Sequence, residues 1–351
     1  MKINIDFDSY LELEKIGIGA FKPLEGFMNE KDFYSVAESM RLVNGKLFPI
    51  PILLPIPKIE SEHILKKKKI LLIYDNNTVG EIYPESVFSL NFKKFLHLLF
   101  GTNDEKHPGY KILNKSGRFF LGGRIKLLKQ IKYKNSEYSI TPKELKLLIK
   151  KKKLRTVAGF QTRNVPHKAH EYILIDALKK VDGLFVQPLI GKKKVGDFLP
   201  GCILKSYKYL IDNIFPKNQV LLGTLTTSMR YSGPREAVFH AIIRKNYGCT
   251  HFLVGRDHAG VGSYYGEYDA QDLCVKFEKE IGINIIKVRG PFYCEFCKKI
   301  TNDKNCLRSS QKVEVSGTKI RQALINNKEI SEKFMRKEIL NLIRKEDIFI
   351  K

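Results

Sequence analysis

Between Arg155 and Val288 the chain alternates short apolar segments with amphipathic ones, and few folds accept that pattern. Arg155–Phe160, Leu184–Ile190, Val220–Thr224, His251–Gly255 and Ile283–Val288 read as strands, apolar and bounded by turn residues. Pro166–Lys179, Gly201–Asn213, Pro234–Tyr247 and Ala270–Glu280 read as the helices between them, the third closed by Gly248. Strand and helix in turn predict an α/β architecture, a doubly wound, Rossmann-like domain on a parallel sheet. Ligands of such sheets bind outside the carboxyl ends of the strands. Chemistry is therefore expected in the loops after Phe160, Ile190, Thr224 and Gly255.

Residues 1–150 lack this rhythm. The apolar runs Leu47–Leu54, Ile70–Tyr74, Ile112–Leu113, Phe119–Leu121 and Ile125–Leu128 are split by Gly, Pro, Asn and Asp, which reads as a mostly β domain with some helix. Thr141–Lys153 reads as a basic helical connector. The tail from 312 to 351 reads as a small helical region with two amphipathic helices, one after Ser316 and one from Ser331. The expected division is 1–150, 151–311 and 312–351.

The formal charge of +25 among 351 residues admits a polyanionic partner. The lysine runs Lys66–Lys69 and Lys150–Lys153 are scattered, however, and no nucleic-acid module is recognisable, so no nucleic-acid partner is expected. No apolar run is long enough to span a bilayer, so no membrane partner is expected either. The first 15 residues carry Asp6, Asp8, Glu12 and Glu14, unlike a signal peptide, which makes the cytoplasm the expected location. There the six cysteines are thiols or metal ligands sooner than disulfides.

Three of the named loops are crowded with polar groups. Gln161-Thr162-Arg163-Asn164 is followed by Pro166 and by His167 and His170, three residues apart on one face of a helix N-terminus. Free amides and the positive dipole end suit phosphate there, and Arg163 adds a fork of donors for an oxyanion. A zinc reading of the two histidines lacks a third ligand and the four-residue spacing. Ser228–Glu236 places two arginines before a helix; capping by Ser232 with Arg235 in solvent explains it equally well. Gly255-Arg256-Asp257-His258-Ala259-Gly260 is either a ligand loop or a solvated glycine turn. Ser316-Gly317-Thr318-Lys319-Ile320-Arg321 reads first as an ordinary helix cap. There is no Walker loop, so a P-loop kinase is excluded.

Together these segments resemble the ATP sulfurylase (sulfate adenylyltransferase) family, in the family's order, and Gly17–Met28 looks like its opening signature. The resemblance implies a PUA-like N-terminal domain and a catalytic domain of the nucleotidyltransferase type. The implied reaction is that of ATP and sulfate giving adenosine 5′-phosphosulfate and pyrophosphate. It implies Thr162, Arg163 and Asn164 at the catalytic centre, and Gln161, Arg163 and the backbone N–H of Ala259 on sulfate. It further implies Gln161–Asn164, His167, His170 and Gly255–His258 on ATP, with an adenine-side contact near Thr301. Ser316, Thr318 and Arg321 would face phosphates. Mg²⁺ would arrive with ATP, and the assembly would be a homo-oligomer without a fused kinase domain. Sulfate is already ionised at neutral pH, so no general base is expected.

Many prokaryotic members resemble zinc binders with three cysteines and a downstream histidine. Cys294, Cys297 and Cys306 match the first three, but no histidine follows His258. A closed zinc site takes four protein ligands. A vestigial or incomplete Zn²⁺ site is therefore expected here.

Overall fold

The computed structural model describes residues 1–57, 61–191, 195–306, 311–344 and 347–350. The expected alternation is present as a five-stranded, wholly parallel sheet. Its spatial order is Asn284–Lys287, His251–Val254, Val157–Thr162, Gly183–Pro188 and Val220–Leu222. The chain therefore starts in the middle, runs out to one edge and returns to build the other. That reversal places the ends of Val157–Thr162 and His251–Val254 side by side, with their connections leaving in opposite directions. Gly183–Pro188 is buried at every residue, as expected of a strand covered on both faces.

The helices of this unit are Lys168–Leu178, Pro200–Asn213, Pro234–Tyr247 and Asp269–Ile281. Gly248 stops the third in a left-handed conformation (φ 96°). The first begins two residues later than expected. Pro166 lies outside it, and His167, in extended backbone, is the N-cap. The tail helices are Gly317–Ile325 and Lys337–Ile343. The second begins six residues after Ser331, because Ser331–Phe334 closes a turn first. Both pack into one apolar cluster with Phe160, Leu174, Tyr207 and Leu253 on one face of the sheet.

The first 130 residues build a six-stranded sheet. Lys2–Asn4 lies parallel to Ile70–Tyr74; Asn77–Ser89, Phe119–Leu127 and Gly26–Phe27 continue it antiparallel, and Leu54–Ile56 pairs on Phe119–Leu127. Helices are more prominent there than the sequence suggested. Phe7–Gly17, capped by Asp6, and Glu30–Ser39, capped by Asn29, flank the sheet. The run Ile112–Leu113 lies in the helix Pro108–Lys115, not in a strand. A three-stranded antiparallel sheet of Lys299–Thr301, Phe292–Cys294 and Lys312–Glu314 was not foreseen, since three-residue strands carry too little pattern to read.

The two larger units share one apolar core, which joins Leu13, Phe21 and Phe48 to Phe239, Ile243 and Phe252. Polar clamps reinforce it. Arg235 is not in solvent. Its guanidinium donates to the carbonyls of Val36, Ala37, Pro49 and Leu98, and burial pulls its pKa down to about 10. Ser232 caps nothing with its side chain. Its amide and that of Arg230 donate to the buried Glu236 carboxylate instead. Among the described residues no helix is long and apolar enough to cross a membrane.

Candidate functional site

A cleft of ≈ 650 Å³ opens where the strands Val157–Thr162 and His251–Val254 end side by side. One wall is Gln161–Asn164 with His167 and His170; the opposite wall is Gly255–Gly260. Phe160, Ile173, Leu253, Val288 and Phe292 make an apolar end, and Lys312 and Glu314 of the small sheet close it.

The first loop carries a set of buried polar atoms without a partner among the described residues: Gln161 Oε1, Arg163 Nη1 and His167 Nδ1. Two more, Arg321 Nε and Asp197 Oδ2, adjoin it. Leaving a buried polar group unpaired costs about 1–3 kcal/mol each. So many around one loop point to a polar ligand. The loop is otherwise well held. Asn164 N–H donates to Thr162 Oγ1 at 3.1 Å, and Arg321 Nη2 donates to Asn164 Oδ1 at 2.7 Å. The other arm of Arg321 meets the buried Asp197 at 3.2 Å.

His167 and His170 stack, ring centroids 3.8 Å apart and 18° from parallel. His170 Nδ1 accepts the His167 amide at 3.4 Å, which leaves the proton of the neutral ring on Nε2. Burial pushes His170 down to about 4; burial, and then the neighbouring His170, hold His167 well below the usual range. Both rings are therefore neutral donors near pH 7, not bases waiting for a proton.

Across the cleft, Asp257 and Ala259 adopt left-handed backbone (φ 52° and 58°), a conformation that costs a non-glycine residue energy and concentrates at ligand sites. Burial raises the Asp257 carboxyl, while Arg163 and Arg256 pull it back. His258 Nε2 lies 3.1 Å from His240 Nδ1, and burial with Arg244 and Arg163 lowers it to about 3. Gly233 N–H donates to the Ala259 carbonyl at 3.2 Å, tying this loop to Ser228–Glu236. From there Tyr231 lies under Arg163, whose guanidinium carbon is 5.6 Å from the ring centre.

The structure gathers Gln161, Thr162, Arg163, Asn164, His167, His170, Gly255, Arg256, Asp257, His258 and Ala259 in this one cleft. Arg321 joins through Asn164. Thr301 does not line it; it is buried in its strand, 2% exposed. Ser316 caps its helix by accepting Lys319 N–H at 3.4 Å, and Thr318 is exposed. Arg256 is half committed, at 3.2 Å from Glu267 and 2.9 Å from Glu314. The sequence reading missed Asp197. Its only signal was its place in the loop after the second strand of the sheet.

Cys294, Cys297 and Cys306 hold their sulfurs within 4.8 Å of one another on the small sheet. The Cys297 amide lowers the Cys294 thiol, and its sulfur neighbours push Cys297 up to about 11. No fourth His, Cys, Asp or Glu joins them among the described residues. The segment 307–310 lies outside those residues, and its sequence, Leu-Arg-Ser-Ser, offers none of these four types.

The ATP-sulfurylase family model matches residues 136–346, and that of a PUA-like domain matches residues 1–130. A sulfate adenylyltransferase of Pyrococcus abyssi (strain GE5 / Orsay) is 40% identical over 347 residues, covering 99% of this chain and 90% of its own. One of Thermococcus onnurineus (strain NA1) is 39% identical, covering 97% and 89%. Among solved structures, a hexameric APS kinase from Thiobacillus denitrificans superposes with a TM-score of 0.75 at 18% identity. The match takes in 98% of this chain and 62% of that longer one, a likeness of fold.

Proposed function

The chain belongs to the ATP-sulfurylase family, and on that premise we propose how its cleft transfers the adenylyl group of ATP to inorganic sulfate. A sulfate oxygen attacks the α-phosphorus. The bond from that phosphorus to the bridging oxygen of the β-phosphate breaks, and pyrophosphate leaves with the electron pair. No proton moves in the step. The obstacle is repulsion: two unit charges 4 Å apart interact by about 4 kcal/mol at an effective dielectric near 20, and several such pairs must come together.

The observation that carries the reading is the set of buried polar atoms around one parallel-sheet loop that lack a partner among the described residues, the guanidinium donors Arg163 Nη1 and Arg321 Nε among them. Arg163 holds sulfate with its Nη1, helped by Gln161 and the Ala259 amide. Thr162 and Asn164 orient the α-phosphate, and Arg321 fixes Asn164. His167 and His170, with the amides that begin their helix, receive the charge that develops on pyrophosphate. Gly255–His258 frames the nucleotide, and the apolar end around Ile173 and Phe292 takes the purine. These groups are fixed before substrate arrives, which is what electrostatic catalysis requires.

Mg²⁺ comes with ATP and would neutralise part of its phosphate charge. The cleft suits a metal held mainly by phosphate and water. Glu314 pairs with Arg256 and Lys319, and Asp303 with Lys312, so Asp257 is the cleft carboxylate left to face metal-bound water. The three-cysteine cluster takes no part in the transfer. A zinc ion there would have to complete its tetrahedron with water or an outside group. We place the enzyme in the cytoplasm, as a homo-oligomer.

The rival is an adenylyltransferase that uses the same scaffold on a phosphorylated acceptor. Pyrophosphate release from MgATP, with sulfate or with a pyridine mononucleotide as acceptor, separates the two. Release is expected with sulfate alone. Release with the mononucleotide and none with sulfate would replace this reading by its rival.

A further inference from the structure

We propose that His107 and Tyr265 are positioning residues through which the PUA-like unit sets the sulfate-binding arginine and amide; the proposal rests on the assignment of Arg163 and Ala259 to sulfate. His107 lies in the N-terminal unit and has no exposed surface. Its Nδ1 accepts the Gly109 amide at 3.1 Å, so the ring proton sits on Nε2. Nε2 is 3.2 Å from the Tyr265 hydroxyl, and that hydroxyl donates onward to the Tyr231 carbonyl at 2.9 Å. Each group in the chain thus has one direction of donation open to it.

The Tyr231 carbonyl is where such a bond matters. Tyr231 sits in left-handed backbone (φ 58°), which a tyrosine holds only when its surroundings insist. Its ring supports Arg163. Two residues on, Gly233 donates to the Ala259 carbonyl. Both groups assigned to sulfate therefore hang on the segment Tyr231–Gly233.

The fit around that segment leaves no slack. A Cβ on Gly233 would stand 2.6 Å from the Tyr265 ring, and a Cβ on Gly109 would stand 2.2 Å from the Arg230 carbonyl. The other side is gripped by the first helix: Arg230 Nη2 donates to Glu12 at 2.6 Å, and Ser228 Oγ to Asp8 at 3.3 Å. Tyr264, beside Tyr265, donates to Asp104 at 2.6 Å. The N-terminal unit thus reaches the catalytic loops from two directions, and among the described residues only the His107 side ends on the backbone of Tyr231.

The test uses Tyr265→Phe, which keeps the ring packed on Gly233 and removes only the hydroxyl. Full steady-state kinetics are measured for sulfate and MgATP separately, with thermal unfolding of the same preparations. Loosening the arginine and the amide together is expected to raise KM for sulfate about tenfold, with KM for MgATP within about twofold of the parent. His107→Leu should reproduce the effect, and His107→Gln, which can still donate to Tyr265, should recover most of it. A sulfate KM unchanged in Tyr265→Phe overturns the proposal. So does an equal rise in both KM values tracking a fall in melting temperature, which marks a merely structural bond. Arg163→Ala run in parallel tells which layer failed. If it too keeps the parent sulfate KM, the sulfate assignment falls and the proposal with it. If it loses sulfate use while Tyr265→Phe does not, only the positioning role falls.

Discussion

Replacing Arg163 with alanine is expected to lower kcat/KM for sulfate by roughly 10³-fold or more while leaving the fold intact. Loss of one donor to a developing oxyanion already costs about 10²–10³ in rate, and Arg163 offers a fork of donors together with a charge. The structural cost is small for a specific reason. Its Nη1 has no partner within the described protein, so that arm is lost without cost, and the contact with the Tyr231 ring contributes only about 0.5–1 kcal/mol. Arg163→Lys keeps the charge and loses the planar fork, so it should recover only part of the loss. The measurement is pyrophosphate release against sulfate concentration, beside the circular dichroism and melting curve of each variant. Turnover near the parent's would remove Arg163 from the sulfate site.

The second large effect concerns acid. His167 and His240 are 7% and 1% exposed, and burial, reinforced for His240 by Arg244, holds both neutral in the fold. In the unfolded chain they titrate near 6.5. Their folded pKa is lowered, so their contribution to stability is full above 6.5 and is lost as pH falls from there. Between pH 7.5 and pH 5 linkage removes at most about 2 kcal/mol for each such group. His170 and His258 act in the same direction with a smaller share, because they are only partly buried and keep some contact with water. Glu236 lies 3.6 Å from His240, but burial raises its own carboxyl and two amides occupy it, so it does not reverse the sign. The urea midpoint of the ligand-free enzyme should fall steeply between pH 7.5 and pH 5. A flat midpoint over that range would mean that these rings are protonated at neutral pH or reached by water.

The catalytic unit was largely legible in the sequence because its signals are local. Apolar strands, a glycine at the end of Pro234–Tyr247 and polar loops at strand ends all read within a few residues. The loops that line the cleft were legible because they stand at the carboxyl ends of parallel strands; that Val157–Thr162 and His251–Val254 lie side by side was not, since it depends on the spatial order of the sheet. What escaped depends on partners far apart in the chain. Arg235 reads as a surface residue until Val36, Ala37, Pro49 and Leu98 are folded around it. Asp197 means nothing without Arg321. The small sheet carrying the three cysteines is built from strands too short to show a period, and Thr301, expected on the adenine side, sits buried in that same region outside the cleft lining.

At the centre stands the meeting of two anions, with a sulfate oxygen attacking the α-phosphorus. Turnover of MgATP with ¹⁸O-labelled sulfate, followed by ³¹P NMR of both products, tests this most directly. Attack by a sulfate oxygen on that phosphorus predicts one heavy oxygen bonded to the phosphorus of adenosine 5′-phosphosulfate and none in pyrophosphate. Label in pyrophosphate, or an adenylyl product whose phosphorus carries none, would contradict it.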